Sequence, residues 1–373
     1  MFTDRLTFSE AKNVTVSTGG KIGLVVFDGT LNQRVSLKVV PGPTGEILLY
    51  KPDGTLFASS TIAIGTFLIE PPLLPAAGTY TVNVDLWLSS TGTETLTLYD
   101  VPPDVTGTIP FATAQTAALN TPGQNARYTF SGTTGQRVSL KVDAYAPTGT
   151  VSLKHPDGST LGSGNSGVFA GFIDTVTLLA TGTHTVLADP SHANTGSMTV
   201  TLYDVPADVT GTLTPASGAG SSVTVPLNTP GQNALYTFTG TTGQRVSLKV
   251  GANAPTGTVS LVNPSGGALG SANSGVSASF MEPKTLTAAG THTIKVDPGV
   301  YNTGSTTVTA YDVPADSAGT IAVGGASVGV SLGTAGQNGT LTFSGTSGQQ
   351  VTVRLTSNTF GLVTVKLLKP DGN

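Results

Sequence analysis

A phrase of eight residues recurs along this chain and constrains what the chain can become more than any other feature. Gln33, Gln136, Gln244 and Gln349 sit in NQRVSLKV at 32–39, GQRVSLKV at 135–142 and 243–250, and GQQVTVRL at 348–355. The copies are 103, 108 and 105 residues apart. A second phrase keeps the same beat, with Tyr99, Tyr203 and Tyr311 each opening YDVP at spacings of 104 and 108. Such a period is too long for a solenoid coil that depends on its neighbours for a core, and it matches the size of one domain. The 373 residues therefore divide into repeats at 1–109, 110–213 and 214–321 and a truncated fourth at 322–373.

Within a repeat the apolar residues alternate. In the second copy Tyr128 and Phe130, then Val138, Leu140 and Val142, then Val151 and Leu153 face one way, with polar residues between them. Period two predicts strands with one buried and one wet face, and no window carries helical spacing. Turn signals such as SGTTGQ, HPDGS and NTGS separate these runs, and the 48 Gly and 23 Pro supply the required backbone geometry. The expected fold is all-β: tandem antiparallel β-sandwich domains, jelly-roll-like, arranged as beads on a string. Polar small-residue passages after each YDVP, such as 206–222, read as soft connectors that permit limited bending.

The remaining composition excludes more than it assigns. A net charge of −4 offers no basic stripe for nucleic acid. With no cysteine there are neither disulfides nor thiolate chemistry. No stretch is apolar for long enough to span a bilayer. Polar residues fill the first segment where an export signal would place its apolar run, and the fourth repeat stops inside a turn, so the chain reads as a fragment with its signal upstream.

The order YTFSGTTGQRVSLKV, VSLKHPDGSTLGS and LLATGTHTVLADPSHANTGSMTVTLYD resembles the bacterial pre-peptidase C-terminal domain, over three full repeats and the fourth as far as its PDG turn. It is also similar to the tandem modules of large bacterial surface proteins, including those with Rhs-type repeats. The resemblance implies a secreted or surface-exposed, non-catalytic module that accompanies enzymes or builds stalks. Its partners would be a glycan or cell-surface protein and other domains of the same longer chain.

Candidate chemistry is sparse. His184 and His292 stand where the first repeat has Tyr80, which marks a half-buried strand position with a polar tip; His155 and His192 lie in turns. Asp53, Asp157 and Asp371 recur in PDG turns, Asp100, Asp204 and Asp312 in YDVP, and Asp104, Asp208 and Asp316 just after. Recurrence in each copy points to turn and cap bonding rather than to an active site. Ca²⁺ would need several converging oxygens, for which Asp189 or Asp297 with neighbouring carbonyls is the candidate; no other cofactor is expected. No serine elbow or P-loop is present, so no catalytic residue is assigned. Carbohydrate recognition requires exposed rings, and Trp87 in VDLWLSSTG and Tyr301 in VDPGVYNTG are the candidate ligand-binding residues.

Overall fold

The computed structural model describes residues 2–62, 64–70 and 72–370; Asp371 lies outside them. Regular structure among these residues is entirely β. The first unit contains β1 (Phe2–Arg5), β2 (Ala11–Val16), β3 (Ile22–Gly29), β4 (Val35–Val40), β5 (Gly45–Tyr50), β6 (Leu56–Ile62), β7 (Phe67–Ile69), β8 (Gly78–Leu86) and β9 (Gly92–Asp100). These form a five-stranded sheet in the order β1-β3-β8-β5-β6 and a four-stranded sheet in the order β2-β9-β4-β7. The second and third units repeat both strand orders. Pairing is antiparallel except for the first strand of each five-stranded sheet, which runs parallel to its neighbour.

Alternation explains the interior. Val138, Leu140 and Val142 are buried, as are Val246, Leu248 and Val250 at the same register in the third unit. Each unit has its own apolar cluster of Val, Leu, Ile and aromatic side chains. Burial of these side chains, about 1.5–3 kcal/mol each, opposes the entropy of ordering so many short strands.

The expected architecture of separate antiparallel β-sandwich, jelly-roll-like beads on a string is corrected by the way the units are joined. The connectors are not soft. Val105–Thr108, assigned from the sequence to the end of the first repeat, is a strand that pairs in parallel with Ala126–Thr129 of the second unit. Val209–Thr212 and Ser317–Thr320 behave in the same way at the next two boundaries. Beyond each connector a turn folds back onto the preceding unit and is hydrogen-bonded there. The chain is thus an all-β stack of repeats in which each unit is held by the next, the organisation of a solenoid rather than of independent beads. Period two locates strands but carries no information on how one repeat meets another, which is why the sequence reading missed it.

Tyr80, His184 and His292 are fully buried rather than half-buried. Each stacks on the aromatic of the facing strand: Tyr80 on Phe27 at 5.3 Å, His184 on Phe130 at 5.3 Å and His292 on Phe238 at 5.4 Å. Tyr80 donates to the Ala76 carbonyl at 2.9 Å and His184 Nε2 sits 3.0 Å from the Ala180 carbonyl, so these two polar tips are matched internally, whereas His292 meets the Gly290 carbonyl through Nδ1 at 3.1 Å and its Nε2 has no partner.

One core position differs sharply between units. Glu94 of β9 is fully buried, with Oε2 accepting from the Gly42 amide at 2.8 Å and Oε1 lacking a partner. Register places Met198 and Thr306 at the same point in the second and third units.

Among the described residues the fourth repeat forms only the parallel pair Ser317–Thr320 with Gly339–Thr342. Residues 351–355 and 363–367 alternate as strands should, yet none forms, and Val353 and Leu355 stay more than half exposed. In the complete units the matching strand is flanked on both sides, as Arg137–Val142 is by Gly171–Thr177 and Gly196–Asp204.

Candidate functional site

The residues that recur most faithfully converge at the junctions. Gln33, Gln136 and Gln244 each donate from Nε2 to the YDVP aspartate, Asp100, Asp204 and Asp312, at 2.9, 2.9 and 3.0 Å. Their Oε1 atoms accept from the backbone amides of Thr30, Thr133 and Thr241, closing the turn that leads into the phrase. The next residue in the phrase reaches outward. Arg34, Arg137 and Arg245 pair with Asp104, Asp208 and Asp316 at 2.5, 2.6 and 2.8 Å, all on half-buried guanidinium groups. The recurring aspartates therefore tie phrases together and fasten units, beyond the turn bonding expected of them.

A second set of bonds comes from the following unit. Ser36 Oγ donates to the Pro122 carbonyl at 2.7 Å, Ser139 Oγ to Pro230 at 2.7 Å and Ser247 Oγ to Ala335 at 3.2 Å. These three serines occupy the face that alternation marks as wet, yet all are fully buried because the turn at 120–125, 228–233 or 333–338 covers them. Gln124, Gln232 and Gln337 of the turns donate back to the connectors at Pro103, Ala207 and Ala315, at 3.0, 2.9 and 2.8 Å.

The turn glycine is set by this approach. Gly123, Gly231 and Gly336 have φ of +88°, +86° and +90°, and a Cβ on Gly231 would lie 2.4 Å from Thr175 Oγ1 and 3.2 Å from Ser139 Cβ. Both conformation and space exclude a side chain. Sequence reading missed this seam, although Arg and Ser repeating on the polar side of a strand, where turn chemistry does not require them, was its signal.

Electrostatics differ from one junction to the next. At the first, Asp104 lies between Arg34 and Arg127; burial pulls its carboxyl up, but hydrogen bonds from both guanidinium groups hold it below the usual carboxylate range. Burial pushes Glu70 up, reinforced by the charge of Asp189, and pushes Asp189 itself up. In the third unit the cation has changed strand: Leu235 and Lys295 form the cross-strand pair where the second unit has Arg127 and Leu187. Lys295 binds Asp297 at 2.7 Å. Among the described residues no three His, Asp or Glu side chains converge as a metal site would require, and the calcium candidates Asp189 and Asp297 face these cations instead.

The two aromatic candidates occupy different settings. Trp87 is 45% exposed beside Leu88 at a loop tip of the first unit. Tyr301 turns onto the second unit, edge-on to Phe172 at 6.4 Å, with Lys141 Nζ 4.9 Å from its ring centre. The structure does not bring them together, and register aligns Trp87 with Ser191 and Gly299 rather than with Tyr301. His192 lies at the first junction near Lys38, and His155 packs beside His184 at 5.9 Å.

No family model matches the chain, and no curated protein does. Among solved structures, the PBSX exported protein XepA is similar at 11% identity over 53% of this chain and 86% of its own, with a TM-score of 0.23. Tail fiber protein gp63.1 from an E. coli phage gives 11% over 82% of this chain and 36% of its own, with 0.21. The lipid-containing bacteriophage PM2 gives 10% over 82% and 88%, with 0.18. At these TM-scores none of them assigns an activity, and what the chain itself establishes is an all-β repeat protein.

Proposed function

We propose that this chain is a non-catalytic repeat region that serves as a stalk, spacer or adhesive module of a large exported bacterial surface protein. The observation that supports it is the seam: arginine, serine, aspartate and turn glycine fall in the same register at successive junctions, so the most faithfully repeated side chains bind one unit to the next. A spacer needs units that resist separation, and this is where the repeated polar residues act. Pulling the chain end to end in a force spectrometer tests the reading. Each unit of about 105 residues should release roughly 350 Å of contour length, giving three equal steps. A chain that extends without resisted steps carries no load and is not a stalk.

The exposed ring of Trp87 favours a second reading, carbohydrate-binding accessory modules of a secreted hydrolase. Glycan-array screening of the parent and of Trp87→Ala separates the two. Strong binding that disappears with the ring supports the hydrolase accessory.

A further inference from the structure

The first and second junctions share a loop whose backbone is the same in both. Residues 189–196 read DPSHANTG and residues 297–304 read DPGVYNTG. His192 and Val300 take φ of +56° and +51°. Asn194 Nδ2 donates to the Thr148 and Ser191 carbonyls at 3.2 and 2.7 Å, and Asn302 Nδ2 to Thr256 and Gly299 at 3.1 and 2.7 Å. Ala193 therefore stands where Tyr301 stands one repeat later.

What surrounds the two positions is also equivalent, with two groups missing from the first. At the second junction Lys141 has the Tyr301 ring on one side and the Asp143 carboxylate at 2.9 Å on the other. Lys38 is the same residue of the phrase in the first unit. It faces Ala193 in place of the ring, Val40 takes the place of Asp143, and it has no ion-pair partner among the described residues. An open cleft of about 360 Å³ remains, lined by Lys38, Thr66, His192, Ala193 and Asn194.

We infer that this cleft binds an aromatic ring carrying a carboxylate, a small aryl acid, which supplies both groups that the second junction supplies from its own chain. The ring lies over the Lys38 ammonium as Tyr301 lies over Lys141, and the acid pairs with that ammonium with His192 beside it. Ring and acid of such a ligand are separated by no more than the reach from the Tyr301 ring to Asp143 through Lys141, which a two- or three-atom linker spans. An ammonium over a ring face is attractive, and a carboxylate on the same ligand adds a charge-assisted hydrogen bond to that ammonium.

The probe is 3-(4-hydroxyphenyl)propionate, followed by saturation-transfer NMR on the full chain with p-cresol, propionate and methyl N-acetylglucosaminide as comparators. The expected result is saturable binding with a dissociation constant on the order of 1 mM, the range for a ligand of this size. The comparators should bind at least fivefold more weakly. Ala193→Tyr, which installs the side chain the third unit already tolerates, should abolish the signal. Lys38→Gln, which removes the half-buried ammonium, should weaken it at least fivefold. Tyr301→Ala should open a second site that prefers p-cresol, because Asp143 still occupies its lysine. The inference is overturned if the acid does not bind or if Ala193→Tyr and Lys38→Gln leave binding unchanged. It is equally overturned if propionate or the glycoside binds as tightly as the aryl acid.

Discussion

The first unit with its junction and the second unit with its junction are built from the same phrases, and they differ in where they tolerate charge. In the first, Glu94 sits in the core and Glu70 and Asp189 crowd the junction, all three carboxyls pushed up by burial. In the second, Met198 fills the core position and the Tyr301 ring covers Lys141 at the boundary. The comparison teaches that the fold needs apolar alternation and the seam, while a single interior position can carry a carboxyl at a cost in stability.

Moving that carboxyl is the strongest way to break the comparison. Met198→Glu should destabilise the second unit by about 4 kcal/mol, the scale for a buried group with no partner, as read from chemical denaturation at pH 7. A cost near zero would mean that the interiors are softer than their burial indicates. Next in size is a side chain on the turn glycine. Gly231→Val should cost about 3 kcal/mol and Gly123→Val less, because the atoms around Gly231 begin at 2.4 Å and those around Gly123 at 3.1 Å. Equal effects would erase the distinction between the two seams.

The reverse substitution sharpens the picture through pH. Because the folded-state pKa of Glu94 is raised above its usual 4.5, its carboxyl adds stability that is fullest below pH 4.5 and is lost as pH rises through the folded value. Glu94→Met should therefore stabilise the first unit by about 1–2 kcal/mol at pH 7 and gain little at pH 4. A variant equally better at both pH values would show that packing, not ionisation, sets the cost. The smallest effect is expected from Ser139→Ala, about 1 kcal/mol for one buried hydrogen bond, with Ser36→Ala matching it.

The strands and the cores were legible in sequence because Val138, Leu140 and Val142 obey an alternation that any half-buried strand must obey. The seam was not, since Ser139 obeys the same alternation on the polar side and only the neighbouring turn buries it. The soft appearance of the connector came from its Gly, Ser and Ala content, yet backbone hydrogen bonding, which composition does not report, makes Val209–Thr212 a strand. Trp87 and Tyr301 looked alike as rings in one loop. Two positions of register separate exposure from packing, and only the inter-unit geometry reveals it.

The central claim is that neighbouring units are held in one arrangement by the seam. The absence of cysteine makes site-specific spin labelling clean, and Leu56→Cys with Thr160→Cys places labels at equivalent exposed strand positions one repeat apart. Pulsed electron resonance should give a single narrow distance distribution that broadens when Gly123→Val and Ser36→Ala are added. A distribution already broad in the parent chain, and unchanged by those substitutions, would contradict it.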